Sequence, residues 1–95
     1  MAQKENNIIP MIFDEAFYRK MATQKWRQQD YKKAAEYYEK VLELSPKDFD
    51  IQQHYAQCLV KLNIGKKAER LFYENIVKDF HVAESFYELS QLNIE

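Results

Sequence analysis

The sequence has very few residues that make turns, with one glycine and two prolines among 95 residues. A β-rich fold would need many more of them for its hairpins. The abundant residues include alanine, glutamate, glutamine, lysine and leucine, which favour helix. Cysteine is also scarce: Cys58 stands alone and cannot form an internal disulfide, which fits a reducing compartment. The composition therefore predicts an all-α fold.

An excess of charge of one sign and a long apolar run are both missing. The formal net charge is -1, so no overall field would recruit nucleic acid or an acidic surface. The apolar run at 8–13 is interrupted by Pro10 and is too short to span a membrane, and no signal-peptide cleavage site follows it. We therefore expect a cytoplasmic protein without a membrane partner.

Charge is nevertheless distributed unevenly along the chain. Cations dominate residues 19–33, and none occurs after Lys78. Three interpretations remain open: the polarity steers a partner, it favours head-to-tail contact between copies, or the charges belong to solvated helix faces. Nucleic-acid binding through the cations of the first two helices is a weaker alternative, which would show a steep salt dependence.

Apolar side chains recur at spacings of three and four residues, which predicts five helices. The expected bounds are 15–28, 31–44, 49–62, 66–78 and a last helix from about 82. Asp14, Asp30 and Asp48 precede the first three helices, where a carboxylate can cap the backbone. Pro46 ends the second helix. Residues 1–14 are expected to form an extended arm, which packs on the first helix or docks a partner.

The sequence contains no motif of catalytic chemistry. A Gly-rich phosphate loop, a metalloprotease motif and a nucleophile elbow are all missing. His54 and Cys58 lie four residues apart on the third helix, but a stable metal site needs three or four ligands. Cys58 is better explained as a buried packing residue. We therefore predict that the protein is not an enzyme and has no cofactor or metal.

Two stretches of the chain repeat each other at a fixed offset, which is the separation in sequence between Ala22 and Ala56. We call this separation the repeat offset. Residues of similar kind recur at it: Ala22, Ala56 and Ser90; Ala34 and Ala68; Tyr38 and Phe72; Met21, Tyr55 and Leu89. Tyr18 is matched by Phe86 two periods later, whereas Gln52 between them breaks the pattern. A fixed period of this length is typical of stacked units and of binding scaffolds.

The segment at 30–46, DYKKAAEYYEKVLELSP, resembles the second helix of a tetratricopeptide repeat. In that family each repeat is a helix–turn–helix unit of about 34 residues. The resemblance implies antiparallel helix pairs stacked as a right-handed superhelix. It implies a first repeat at 15–48, a second at 49–82, and the first helix of a third repeat or a capping helix at 83–95. The matching structural positions are Ala22, Ala34, Tyr38, Pro46, Ala56, Ala68, Phe72, Phe86, Leu89 and Ser90. Lys25 and Val41 depart from the pattern in the first repeat, and Gln52, Gly65, Asn75 and Phe80 in the second.

The third unit has no second helix in this sequence. We expect either a terminal cap or, as the preferred interpretation, an N-terminal fragment of a longer bacterial repeat protein. Phe86 and Leu89 are expected to face inward, while Tyr87, Leu92 and Ile94 would leave the outer face insufficiently polar for a cap. This open face suggests an alternative, structural function, in which the last helix drives dimer formation or array stacking.

Tetratricopeptide arrays bind peptides or partner helices in the groove lined by the first helix of each repeat, so the resemblance implies a protein–protein interaction scaffold. The expected groove residues are Arg19, Thr23, Trp26, Arg27, Asp50, Gln53, Gln57, Val60, Lys61, Glu84, Tyr87 and Gln91. Trp26 and Tyr87 are the expected anchors, because aromatic side chains bury a large area at low entropic cost. For Trp26, packing against the N-terminal arm is an equally weighted alternative.

Some members of this family clamp a C-terminal carboxylate with basic groove residues. The equivalent positions here are Arg19, Thr23, His54, Glu84 and Glu88. Only Arg19 is compatible with such a clamp, since two glutamates would repel a carboxylate. We therefore predict no carboxylate clamp and expect a partner of mixed charge.

Overall fold

The computed structural model describes residues 14–92, and every regular element in this range is a helix. The five helices are α1 Glu15–Arg27, α2 Tyr31–Leu44, α3 Phe49–Lys61, α4 Gly65–Val77 and α5 Val82–Gln91. Consecutive helices pack against each other through connections of three or four residues, so neighbours run antiparallel. The predicted all-α fold is confirmed, and each helix lies within one residue of its expected bounds. Of the expected arm at 1–14, only Asp14 falls inside the described residues, and Ile94 falls outside them.

Aspartate side chains begin the first three helices. Asp14, Asp30 and Asp48 each accept a hydrogen bond from the backbone N–H three residues later, at 3.0, 3.2 and 3.1 Å. Each bond satisfies an N–H group that has no partner inside the helix. The starts of α4 and α5 have no side-chain cap. The chain therefore marks the beginnings of α1, α2 and α3 locally, before any packing between helices.

Small residues lie where the paired helices approach each other. Ala22, Ala34, Ala56 and Ala68 are all fully buried. In the first pair, the rings of Tyr18 and Tyr37 are 6.2 Å apart and those of Trp26 and Tyr31 are 5.1 Å apart. These two contacts bracket the pair and put Ala22 opposite Ala34. The small side chains of Ala22 and Ala34 let the two helices approach closely at that point.

Aromatic side chains fill the space around these alanines. Tyr38 of α2 is 4% exposed and Phe72 of α4 is fully buried. Both lie in one continuous core that also contains Val41 and Leu59. The core therefore runs along the stacked pairs rather than forming one central cluster.

Two residues of α5 differ from expectation. Phe86 is 55% exposed rather than inward-facing, and Ser90 is also exposed. Ser85 occupies the buried side of this helix instead, and Leu89 packs against the core. The physical reason is that α2 covers this side of α1 and α4 covers this side of α3, whereas no helix among residues 14–92 covers it on α5.

No helix within the described range combines the length and the apolar character that a membrane span requires.

Candidate partner-binding groove

The expected groove residues differ in how accessible they are. Seven of them are exposed, namely Thr23, Arg27, Asp50, Lys61, Glu84, Tyr87 and Gln91. Four are half-buried: Arg19, Trp26, Gln57 and Val60. Gln53 is only 3% exposed, so its expected place on the groove surface is wrong. The accessible positions are thus distributed over α1, α3 and α5, the first helices of the three units.

A cleft of about 700 Å³ runs along α1. Its described lining consists of Arg19, Lys20, Thr23, Gln24, Arg27 and Gln28. None of these residues carries a carboxylate. Lys20 and Arg27 form no ion pair with any residue between 14 and 92. This end of the groove therefore presents two cations that a partner's carboxylates can approach.

Arg19 has a different role from its two basic neighbours. Its Nε donates to Oε2 of Glu15 at 2.7 Å, and its Nη2 pairs with Asp48 in the loop between α2 and α3. Hydrogen bonds from Ser45 and Arg19 lower the pKa of Glu15. Burial raises the pKa of Asp48, but hydrogen bonds from Arg19 and the Ile51 backbone outweigh it, so that pKa also falls below its ordinary value. Arg19 thus joins α1 to Asp48, the residue that caps α3 of the second unit, and is largely neutralised.

Trp26 is shared between the core and the surface. Its ring meets the edge of Tyr31 at 5.1 Å and packs against the core cluster. The Nζ of Lys61 lies 5.9 Å from the centre of the Tyr31 ring, within the range of a cation–π contact. Part of Trp26 therefore stabilises the α1–α2 pair, and only its remaining surface can contact a partner.

The other end of the groove is acidic. Asp50 at the start of α3 and Glu84 in the first turn of α5 are both exposed. His81 lies between them, with its Nε2 2.5 Å from Oδ1 of Asp50 and its Nδ1 4.0 Å from Oε2 of Glu84. Tyr87 follows Glu84 by three residues and is 65% exposed. The charge of the expected groove residues thus changes sign from α1 to α5, in line with the charge distribution of the sequence.

A family model of the tetratricopeptide repeat matches residues 25–72, about half of the chain. The chain is a tetratricopeptide repeat protein. This family generally mediates protein–protein interactions, and its repeats are typically scaffolds without catalytic activity. No curated protein and no solved structure matches the chain significantly.

Gln53 belongs to a buried amide cluster of this tetratricopeptide protein. Its Oε1 accepts from Nδ2 of Asn75 at 2.8 Å and from the hydroxyl of Ser85 at 3.0 Å. Nε2 of Gln52 donates to Oδ1 of Asn75 at 3.0 Å. We name Gln52, Gln53, Asn75 and Ser85 the amide cluster. It joins α3 to both α4 and α5, and it replaces the apolar contacts that the repeat pattern predicts.

Three of the residues at which the second repeat departs from the family pattern make contacts inside that repeat. Gln52 and Asn75 hydrogen-bond each other, and the ring of Phe80 lies 5.1 Å from that of Phe49. Sequence reasoning noted these departures separately and missed their pairing. The signal that could have found the amide pair is the repeat offset, which places Gln52 and Asn75 where Tyr18 and Val41 lie in the first unit.

Cys58 is fully buried, and burial raises the pKa of its thiol to about 12. The thiol therefore stays protonated at neutral pH, and a protonated thiol is a poor nucleophile and metal ligand. His54 is exposed and stacks on the ring of Tyr38 at 5.9 Å. Within residues 14–92 no group of three histidine, cysteine, aspartate or glutamate side chains is arranged to hold a metal ion.

Proposed function

We propose that this tetratricopeptide protein is a protein–protein interaction scaffold, which binds an extended peptide or a helix of a partner in the groove along α1, α3 and α5. The observation that carries the proposal is the cleft on α1, where Lys20 and Arg27 have no ion-pair partner among the described residues. The general role of the family in protein–protein interaction supports it.

The change of sign along the groove defines the partner's chemistry. A segment with carboxylates would lie against Lys20 and Arg27 on α1, and cations would lie near Asp50 and Glu84. The exposed ring of Tyr87 would provide an apolar anchor at the acidic end. Because opposite charges at the two ends also fix direction, the partner segment should bind in one orientation.

The experiment uses a partner isolated with the whole chain as bait and a synthetic peptide that covers the captured segment. Calorimetry of that peptide should show that Arg27→Glu weakens binding by roughly tenfold or more, because it reverses a charge inside the cleft. Lys66→Glu is the matched control, since Lys66 is exposed on α4 outside the groove and should leave the affinity unchanged. Equal affinity of the Arg27→Glu and Tyr87→Ala variants and the unmodified chain would refute the groove.

A second candidate function is self-association through α5. The observation in its favour is that Phe86 and Tyr87 leave large aromatic surfaces in water, at 55% and 65% exposure. Light scattering over a range of protein concentrations tests it. An increase in mass with concentration supports the candidate, and a monomer at every concentration excludes it.

A further inference from the structure

One side of α5 is covered by no other helix among residues 14–92 and carries no charge. We name Ala83, Phe86, Tyr87 and Ser90 the α5 face; all four residues are exposed. At about 100° per residue they fall on one side of the helix, whereas Glu84 and Glu88 fall on another. The α5 face therefore contains two small and two aromatic residues on an otherwise acidic helix.

The chain shows twice how such a face is covered. The repeat offset relates Phe86 and Ser90 to Gln52 and Ala56 of α3, which α4 covers. Gln52 is 6% exposed and Ala56 is fully buried, whereas Phe86 is 55% exposed. The same offset relates them to Tyr18 and Ala22 of α1, which α2 covers. The α5 face is thus the third instance of a surface that receives an antiparallel helix.

Both covering helices carry the same pattern of three residues on the side that they bury. A small residue is followed by an aromatic residue four positions later and by a third buried residue after three more. These residues are Ala34, Tyr38 and Val41 in α2, and Ala68, Phe72 and Asn75 in α4, and none is more than 4% exposed.

The α5 helix repeats this pattern on its exposed side, with Ala83, Tyr87 and Ser90. The α5 face therefore resembles both the face of α1 and α3 that a second helix buries and the face of α2 and α4 that packs against it. A second copy of α5 therefore carries the residues that match this face. Two such surfaces carry no charge, so the two acidic helices can approach each other at this side.

The first helix pair defines the alignment. Ala22 lies opposite Ala34 there, which places Tyr18 opposite Tyr38. By the same alignment, Ser90 of one copy lies opposite Ala83 of the second copy, and Phe86 lies opposite Tyr87. Exchanging the two copies reproduces the same contacts, so the interface is closed and two-fold symmetric.

We propose that two copies of the chain form a two-fold dimer through antiparallel α5 helices, with Phe86 of each copy against Tyr87 of the other and Ala83 against Ser90. The proposal rests on the second candidate function and names its contacts. Tyr73 and Val77 of α4, which are 52% and 79% exposed, lie on the side of α4 that would flank the added helix. Glu39 of α2 lies one repeat offset before Tyr73. Its Oε2 is 3.9 Å from Nζ of Lys67 in α4, the helix that covers α3. Tyr73 occupies the equivalent position beside the helix that would cover α5.

Disulfide cross-linking tests the alignment. A mixture of Ala83→Cys and Ser90→Cys chains should form a covalent dimer on mild oxidation. Either variant alone should not, because identical positions then lie about 10 Å apart along the helix axis, beyond the reach of a disulfide. The matched control is a mixture of Glu84→Cys and Gln91→Cys, which has the same spacing on the groove side of α5 and should stay monomeric. The buried Cys58 remains in all variants.

A second variant tests the energetic contribution of the face. Phe86→Glu should raise the dissociation constant of the dimer by roughly 100-fold, since it places a charge in a desolvated aromatic contact. Phe86 is exposed in the single chain, so helicity measured by circular dichroism should be unchanged. Thr23→Glu on α1 is the control and should leave the dissociation constant as it is.

The outcomes separate the pairing from the functions already proposed. A monomer at every concentration up to about 1 mM would overturn both self-association and this pairing. A dimer that tolerates Phe86→Glu and cross-links through residues 84 and 91 would keep self-association and overturn the pairing. The monomer result would leave the groove proposal standing, whereas cross-linking through positions 84 and 91, which belong to the groove, would place the second copy in the groove. Cross-linking only through residues 83 and 90, with dissociation by Phe86→Glu, is the expected result.

Discussion

The first helix pair and the second have the same backbone arrangement but differ in chemistry at one pair of interior positions. Tyr18 and Val41 of the first unit are replaced by Gln52 and Asn75 at the equivalent positions of the second. Val41 and Asn75 are both fully buried, and the two amides are joined by a hydrogen bond of 3.0 Å. A buried polar departure from the repeat pattern is thus accommodated here because a second departure supplies its hydrogen-bond partner.

Backbone carbonyl groups fix the orientation of the amide cluster. The carbonyl oxygens of Phe49 and Leu71 can only accept, so they face Nδ2 of Asn75 at 3.1 Å and Nε2 of Gln52 at 3.4 Å. Asn75 then also directs Nδ2 toward Oε1 of Gln53. The Nε2 of Gln53 is left as the one buried side-chain donor without a partner among residues 14–92. The second unit therefore has a specific but incompletely satisfied interior.

The largest expected effect comes from placing the amide of the second unit in the first. Val41→Asn should lower the free energy of unfolding by about 3–4 kcal/mol, because a buried amide enters an apolar site and apolar burial is lost. Urea denaturation measures the change. Val41→Ala is the control and should cost less, since it leaves only a cavity. If the two variants were equally stable, the first interior would not be selective against amides.

The reverse exchange should cost less. Asn75→Val should lower the free energy of unfolding by about 1–3 kcal/mol, since it removes the donor to Phe49 and the link between Gln52 and Gln53. The other amides keep alternative contacts, because Gln52 also bonds Leu71 and Glu74, and Gln53 also bonds Ser85. Urea denaturation again provides the measurement. A loss larger than that of Val41→Asn would contradict this ranking.

The two joints between units should differ in acid. Arg19 pairs with Asp48 at the first joint, whereas the equivalent residue at the second joint is Gln53, bonded to the uncharged Ser85. The pKa values of Glu15 and Asp48 are lowered from 4.5 and 3.8, so their contribution to stability is present above those values. It is lost as the pH falls through the lowered values.

Thermal unfolding between pH 7 and pH 2.5 checks this difference, with an expected drop in Tm of a few degrees from the first joint. Arg19→Gln should be slightly less stable at pH 7, by about 1 kcal/mol or less, and should lose most of this pH dependence. Ser85→Ala at the second joint should keep it. An acid transition that is identical in the Arg19→Gln variant would show that the Arg19–Asp48 pair does not cause the pH dependence.

The smallest effect concerns the turns that end α1 and α3. Gln29 and Asn63 occupy equivalent positions and have φ values of 62° and 63°, in the left-handed region. Glutamine tolerates this region less well than asparagine, so Gln29→Gly should raise the free energy of unfolding by about 0.5 kcal/mol. Asn63→Gly should change it less. Calorimetric Tm values resolve the pair, and a larger gain at position 63 would be the opposite of what the backbone conformations predict.

The helices were predictable because their signals are local. Asp14, Asp30 and Asp48 bond backbone groups only three residues away, and Pro46 restricts the residue before it. The groove was predictable only in part. The burial of Gln53 depends on Asn75 and Ser85, which come from two other helices, so no pattern within α3 reveals it.

The exposure of Phe86 was missed for a related reason. Its position in the repeat pattern is an inward one, as Gln52 at the equivalent position shows with 6% exposure. Burial of that position requires a covering helix, and the residues of α5 alone do not provide one. Local sequence thus determines each helix, whereas the partner of each face is determined by the rest of the assembly.

The central claim is that the Gln52–Asn75 pair replaces the Tyr18–Val41 pair as a matched unit. A double-mutant cycle on the free energy of unfolding tests this claim most directly. Gln52→Tyr and Asn75→Val each leave one member of a mixed pair, while the double variant restores the residue types of the first unit. We expect the double variant to be more stable than the sum of the single changes implies, by about 1 kcal/mol or more. Additive single effects would show that the two departures are independent, which would contradict it.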